Sequence, residues 1–109
     1  MTPIGLREMM TEVGGNKDDV FLDMGSGKGE LVIQSARKFG QVALGIELSQ
    51  SRHDVALNNL AASSSSTADA LPVSLVCGDA SGIYAQKFYL FHSHLPQLFG
   101  VRTFFLTQI

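Results

Sequence analysis

Asp23-Met24-Gly25-Ser26-Gly27-Lys28-Gly29 follows a short apolar run, Val20-Phe21-Leu22, and precedes a segment of helical period that starts near Glu30. The run reads as a buried parallel strand of 20–24. The segment reads as a helix to Phe39, with Leu31, Val32, Ser35, Ala36 and Phe39 on one face and Gly40 as its C-cap. The heptapeptide is the turn between them. Glycine at alternate positions permits positive φ and lets a ligand lie close against the backbone. A dinucleotide fingerprint, G-x-G-x-x-G, would need glycine where Glu30 stands. A P-loop would need glycine at Leu22 and Ser or Thr at Gly29, so that spacing fails too.

A third reading fits. Asp23 is an acid at a strand end, placed to meet a cationic amino group directly or through water; its plainer role would be to cap the turn. S-adenosylmethionine (SAM) presents such a group on its amino-acid tail and carries no pyrophosphate. Asp23, Gly25, Ser26, Gly27 and Gly29 are therefore the expected cofactor contacts.

Outward from the loop, the pattern alternates. Thr2-Pro3, then Ile4, Leu6, Met9, Met10 and Val13, read as a first helix capped by Thr2 and ended by Gly14-Gly15-Asn16. Val42 to Ile46 reads as a second strand that ends at Glu47. Ser49 or Ser51 starts a third helix through His53, Ala56, Leu57 and Leu60. Ala61 to Ala70, with Ser63 to Ser66 in a row, reads as a surface loop. Pro72 to Cys77 is a third strand before Gly78-Asp79, and Phe88 to Phe91 a fourth. From Pro96 the chain is apolar without a clear period. Alternating strands and helices predict an α/β fold with a parallel sheet, and crossovers are expected to place helices on both of its faces. The expected architecture is a Rossmann-like class I SAM-dependent methyltransferase sheet. It is incomplete, with about four parallel strands over 1–95 and an apolar tail over 96–109.

Two more acids extend the candidate site. Glu47, ending the second strand, can accept hydrogen bonds from both ribose hydroxyls. Asp79, after the third strand, can accept from the adenine amino group. Leu48 and Ala80 are adjacent apolar candidates for the walls around adenine, or ordinary packing. Ligands in open α/β sheets bind along the C-terminal edge, where all three acids fall.

Composition narrows the classes. Hydrophobic residues are 45% and charged residues 17% of 109, a globular balance for one small domain. A net charge of -2 leaves no overall basic excess for nucleic acid or anionic membrane. One cysteine, Cys77, cannot form an internal disulfide, and no apolar run reaches spanning length, so an intracellular, soluble protein is expected.

The stretch Asp19-Val20-Phe21-Leu22-Asp23-Met24-Gly25-Ser26-Gly27-Lys28-Gly29-Glu30-Leu31-Val32-Ile33-Gln34-Ser35-Ala36 resembles the SAM motif of the disruptor-of-telomeric-silencing (Dot) family, the non-SET histone H3 lysine methyltransferases. Gly45-Ile46-Glu47-Leu48 and Gly78-Asp79 are similar to that family's G-V-E and G-D segments. The resemblance covers about residues 2 to 80. It implies a SAM cofactor bound by Asp23, Gly25, Gly27, Gly29, Glu47 and Asp79, histone H3 in nucleosomes as partner, and a nuclear location. Glu30 stands where the family has Gln, and Phe91-His92-Ser93-His94 lacks the family's Asn.

No catalytic base is identified. His92 and His94 do not make a metal site without further ligands, and Cys77 reads as a buried small apolar residue. The expected function is a SAM-dependent histone-lysine methyltransferase. The alternatives are a class I methyltransferase for RNA or a small molecule, and a SAM-binding fragment without turnover.

Overall fold

A computed structural model describes residues 3–63, 70–79 and 103–107. Helix α1 spans Pro3–Val13, strand β1 Val20–Met24, helix α2 Glu30–Phe39 and strand β2 Val42–Glu47. Helix α3 spans Gln50–Ser63, strand β3 Val73–Cys77 and strand β4 Thr103–Thr107. The four strands form one sheet in the order β3-β2-β1-β4. Every pairing is parallel, with Phe21 beside Ala43 and Phe104, and Gly45 beside Leu75. No helix among the described residues is long and apolar enough to cross a membrane.

Local chemistry sets the element ends. Gly40 closes α2 in a left-handed conformation, φ 66, and donates its N–H to the Ala36 carbonyl. Ser49 starts α3 by accepting from the Arg52 N–H at 3.4 Å. The entry to β1 is an asparagine–aspartate turn in which Asp19 accepts from the Asn16 N–H at 2.8 Å.

The main core lies between the sheet and two helices. Leu6 and Met10 of α1 pack with Leu31, Val32 and Ala36 of α2 against Phe21 and Ala43 of the sheet. Phe21, Leu22, Val32 and Ile46 are wholly buried, and burial of each contributes about 1.5–3 kcal/mol. Gln41 is also fully buried. Its amide oxygen accepts from Ser35 Oγ at 2.7 Å and its nitrogen donates to the Asn16 carbonyl at 3.1 Å. Both ends of the amide are satisfied, as a dry interior requires.

Two of three sequence expectations change. Helices were expected on both faces; the three described helices form one layer, since α2 packs against both α1 and α3, and residues 80–102 lie outside the described residues. Successive right-handed crossovers that step the same way, β1 to β2 to β3, leave their helices on the same side. Ala61 to Ser63, expected as loop, belong to α3. There Ser63 Oγ donates to the Asn59 carbonyl at 2.8 Å and Arg37 donates to the Ser63 carbonyl at 3.3 Å. The apolar tail contributes β4, which pairs with β1. The strand expected at Phe88 to Phe91, and the cap at Thr2, lie outside the described residues.

Candidate cofactor site

The strand order places the glycine loop. From β1 the chain steps to β2 and β3 on one side, and β4 lies on the other side of β1. The loop after β1 therefore opens at the point where strand order reverses, which is where parallel α/β sheets leave a crevice for ligand.

Within the loop, Gly25, Gly27 and Gly29 all have positive φ, at 89, 56 and 80. The Gly25 and Ser26 N–H groups both donate to the Ile46 carbonyl, at 2.8 and 3.0 Å, so the start of the loop is fastened to β2. The Gly29 N–H then donates to the Ser26 carbonyl at 2.9 Å, closing a tight turn. Gly29 is the N-cap of α2 and no side chain caps it. The free N–H groups of that first helical turn carry partial positive charge.

The sequence-expected residues fall as follows. Asp23, next to last in β1, is fully buried. Ser26 is buried at the loop's base. Glu47, only 6% exposed, ends β2. One of its carboxylate oxygens accepts from the Gly27 N–H at 2.8 Å and the other from the Ser49 N–H at 2.8 Å. Glu47 thus braces the loop and the entry to α3, a role its position in sequence did not announce. Leu48, 72% exposed, follows it. Asp79 is exposed, two residues past β3. Ala80, His92 and His94 lie outside the described residues. Cys77, expected to be buried, is half-buried at the C-terminal end of β3, with Sγ 3.8 Å from the Leu48 carbonyl. Its strand is an end strand of the described order, which leaves the thiol less covered than a central position would. Among the described residues no cluster of three or more His, Cys, Asp or Glu could hold a metal ion.

Three further residues shape the loop. A Cβ at Gly45 would lie 2.7 Å from Ser26 Oγ and 3.1 Å from Leu75 Cδ2, so only glycine leaves room for the loop's base. A Cβ at Gly29 would lie 3.1 Å from the Cβ of Ala56, which is 1% exposed on α3. Asn59, one turn on from Ala56, donates from Nδ2 to the Lys28 carbonyl at 3.0 Å. The i, i+3 spacing of Ala56 and Asn59 was visible in sequence and marks a common helix face. Nothing local says what that face covers.

A family model described as "Histone methylation protein DOT1" matches residues 1–69. The chain belongs to the DOT1 family. Solved structures place the family member's fold among the SAM-dependent methyltransferases. An RNA methyltransferase from Salinibacter ruber, in complex with S-adenosylhomocysteine, is 29% identical with a TM-score of 0.61; the match covers 72% of this chain and 49% of that one. A SAM-dependent methyltransferase from Thiobacillus denitrificans, also in complex with S-adenosylhomocysteine, is 31% identical with a TM-score of 0.59, over 73% of this chain and 31% of that one. A glycopeptide N-methyltransferase complexed with sinefungin is 27% identical with a TM-score of 0.59, over 74% and 31% respectively. This DOT1-family chain thus spans about half the length of the first and about a third of the other two. No curated protein matches it.

Proposed function

We propose that this chain is the cofactor-binding part of a SAM-dependent protein-lysine methyltransferase that acts on histone H3 in nucleosomes. The observation that carries the reading is the three-glycine loop at the strand-order reversal, in a chain that the DOT1 family model matches.

The residues fit the cofactor. Asp23, fully buried near the end of β1, takes the cationic amino group of the amino-acid tail, directly or through water, once binding opens access to its carboxylate. Gly25, Gly27 and Gly29 carry no side chain, Ser26 lies at the loop's base, and among the described residues no atom beyond Gly27's chain neighbours lies within 4 Å of where its Cβ would stand. Each carboxylate oxygen has about two acceptor positions. Glu47 spends one per oxygen on the Gly27 and Ser49 N–H groups and keeps the rest for the ribose hydroxyls. Asp79 accepts from the adenine amino group, with Leu48 against the ring.

When bound, SAM supplies an electrophilic methyl group on a sulfonium, open to in-line attack. This chain's residues bind and orient that donor, which is most of the work in a displacement governed by alignment. An acceptor lysine has to arrive neutral, against a free pKa of about 10.4, and an apolar channel favours that form by desolvation. A nucleosomal substrate implies a nuclear location.

The test has two stages. Calorimetry with S-adenosylhomocysteine should show saturable binding. Labelled SAM should then transfer label to histone H3 lysine in nucleosomes. Label appearing in RNA or a small acceptor and not in histone would overturn the substrate assignment. Binding with no transfer to any acceptor would leave a SAM-binding fragment.

A further inference from the structure

We propose that Asn59, on α3, is a positioning residue for the glycine loop, holding the plane of the Lys28–Gly29 peptide in its ligand-ready orientation. The inference rests on the cofactor reading above and deepens it. The loop has three glycines in the left-handed region, and glycine resists neither orientation of a neighbouring peptide plane. A fixed loop therefore needs anchors from outside. The β2 strand supplies those for its first half: the Ile46 carbonyl takes the Gly25 and Ser26 N–H groups, and Glu47 takes the Gly27 N–H. None of these reaches the peptide between Lys28 and Gly29.

That peptide is held from α3. The Asn59 amide donates to the Lys28 carbonyl at 3.0 Å. A peptide unit is planar and trans, so its carbonyl and its N–H point in opposite directions. With the Lys28 carbonyl turned onto α3, the Gly29 N–H is turned into the loop, where it meets the Ser26 carbonyl at 2.9 Å. Ala56, on the same face of α3, occupies the space a Cβ at Gly29 would need. Without the Asn59 donor, the Lys28 carbonyl would turn to water and the Gly29 N–H would leave its partner.

The test uses the whole chain with Asn59→Ala, Asn59→Asp and Asn59→Gln. Asn58→Ala and Asn58→Asp, at an exposed neighbour on the same helix, control for helix propensity and charge. S-adenosylhomocysteine affinity, melting temperature and amide exchange at Gly29 are measured for each. Asn59→Asp and Asn59→Ala should weaken binding about fivefold relative to the Asn58 variants. The Gly29 amide should exchange faster, with melting no lower than in the controls. Asn59→Gln keeps a donor and should recover part of the affinity. Wild-type affinity in Asn59→Asp, or a loss matched by lower melting and not recovered by Gln, would overturn the proposal. If the unmodified chain binds no S-adenosylhomocysteine, the cofactor reading fails. The positioning claim is then decided by Gly29 exchange alone: faster in Asn59→Asp than in Asn58→Asp supports it, and equal rates overturn it.

Discussion

Gly27 and Gly45 are both required to be glycine, for different reasons. Gly27 has φ 56 and open space where a Cβ would go, so the protein itself asks only for the conformation. Gly27→Ala should cost about 1–2 kcal/mol of stability from the left-handed backbone. It should weaken S-adenosylhomocysteine binding about ten- to hundredfold, because the added methyl enters the space proposed for ligand. Denaturant unfolding and calorimetry on the same sample separate the two effects; lowered stability with unchanged affinity would argue that ligand does not lie there. Gly45 lies in ordinary strand backbone, but its missing Cβ is the room occupied by Ser26. Gly45→Ala must push the loop's base aside. An expected loss of about 1–3 kcal/mol in urea unfolding checks this, and unfolding like wild type would show that the loop can move at no cost.

Among the elements, β2 and α3 divide the work of holding the loop. Glu47 is the joint between them, since one carboxylate oxygen serves the loop and the other the first residue before α3. Glu47→Gln replaces one acceptor with an NH2 group, which sets a donor against a donor. The variant should lose about 1–3 kcal/mol of stability and bind S-adenosylhomocysteine more weakly. An unchanged unfolding midpoint would mean that the brace contributes nothing. Gln41 offers the opposite case. It ties α2, the turn before β1 and the entry to β2 together, and no bond of it reaches the loop. Gln41→Ala removes a fully buried side chain and leaves the buried Ser35 hydroxyl without its acceptor, so a loss of about 2–3 kcal/mol is expected. Its S-adenosylhomocysteine affinity should stay at wild type; a weakened affinity would show that the core network reaches the site.

In the molecule as a whole, the site exists because the sheet changes direction. With β1 flanked by β2 and β4, the loop at its C-terminal end has a neighbour on each side. A ligand that binds only the folded state stabilises it by mass action, by about 2.7 kcal/mol at a hundred times its Kd. In a domain this size that is a rise of about 10 °C in Tm. A thermal melt with and without S-adenosylhomocysteine reads it directly. No shift would argue against a formed site in the isolated chain.

Much of this is legible in the amino-acid order. Val20 to Met24, the glycine spacing, the period of α2, the Gly40 cap and the strand ending at Glu47 depend on residues close in the chain, and propensity, capping and positive φ are local physics. They were enough to separate the loop from the dinucleotide and phosphate types. The placing of β4 beside β1, the shared layer of the three described helices and the helical state of Ala61 to Ser63 depend on partners far along the chain. So do the brace from Glu47, the room left by Gly45 and the anchor at Asn59. Each is a contact between elements, and a sequence pattern shows which face a residue occupies without showing what lies opposite. The amino-acid order alone was sufficient for the kind of loop and its candidate acids. Only the packed chain decided how that loop is held, because hydrogen bonds and steric exclusion act across space and not along the backbone.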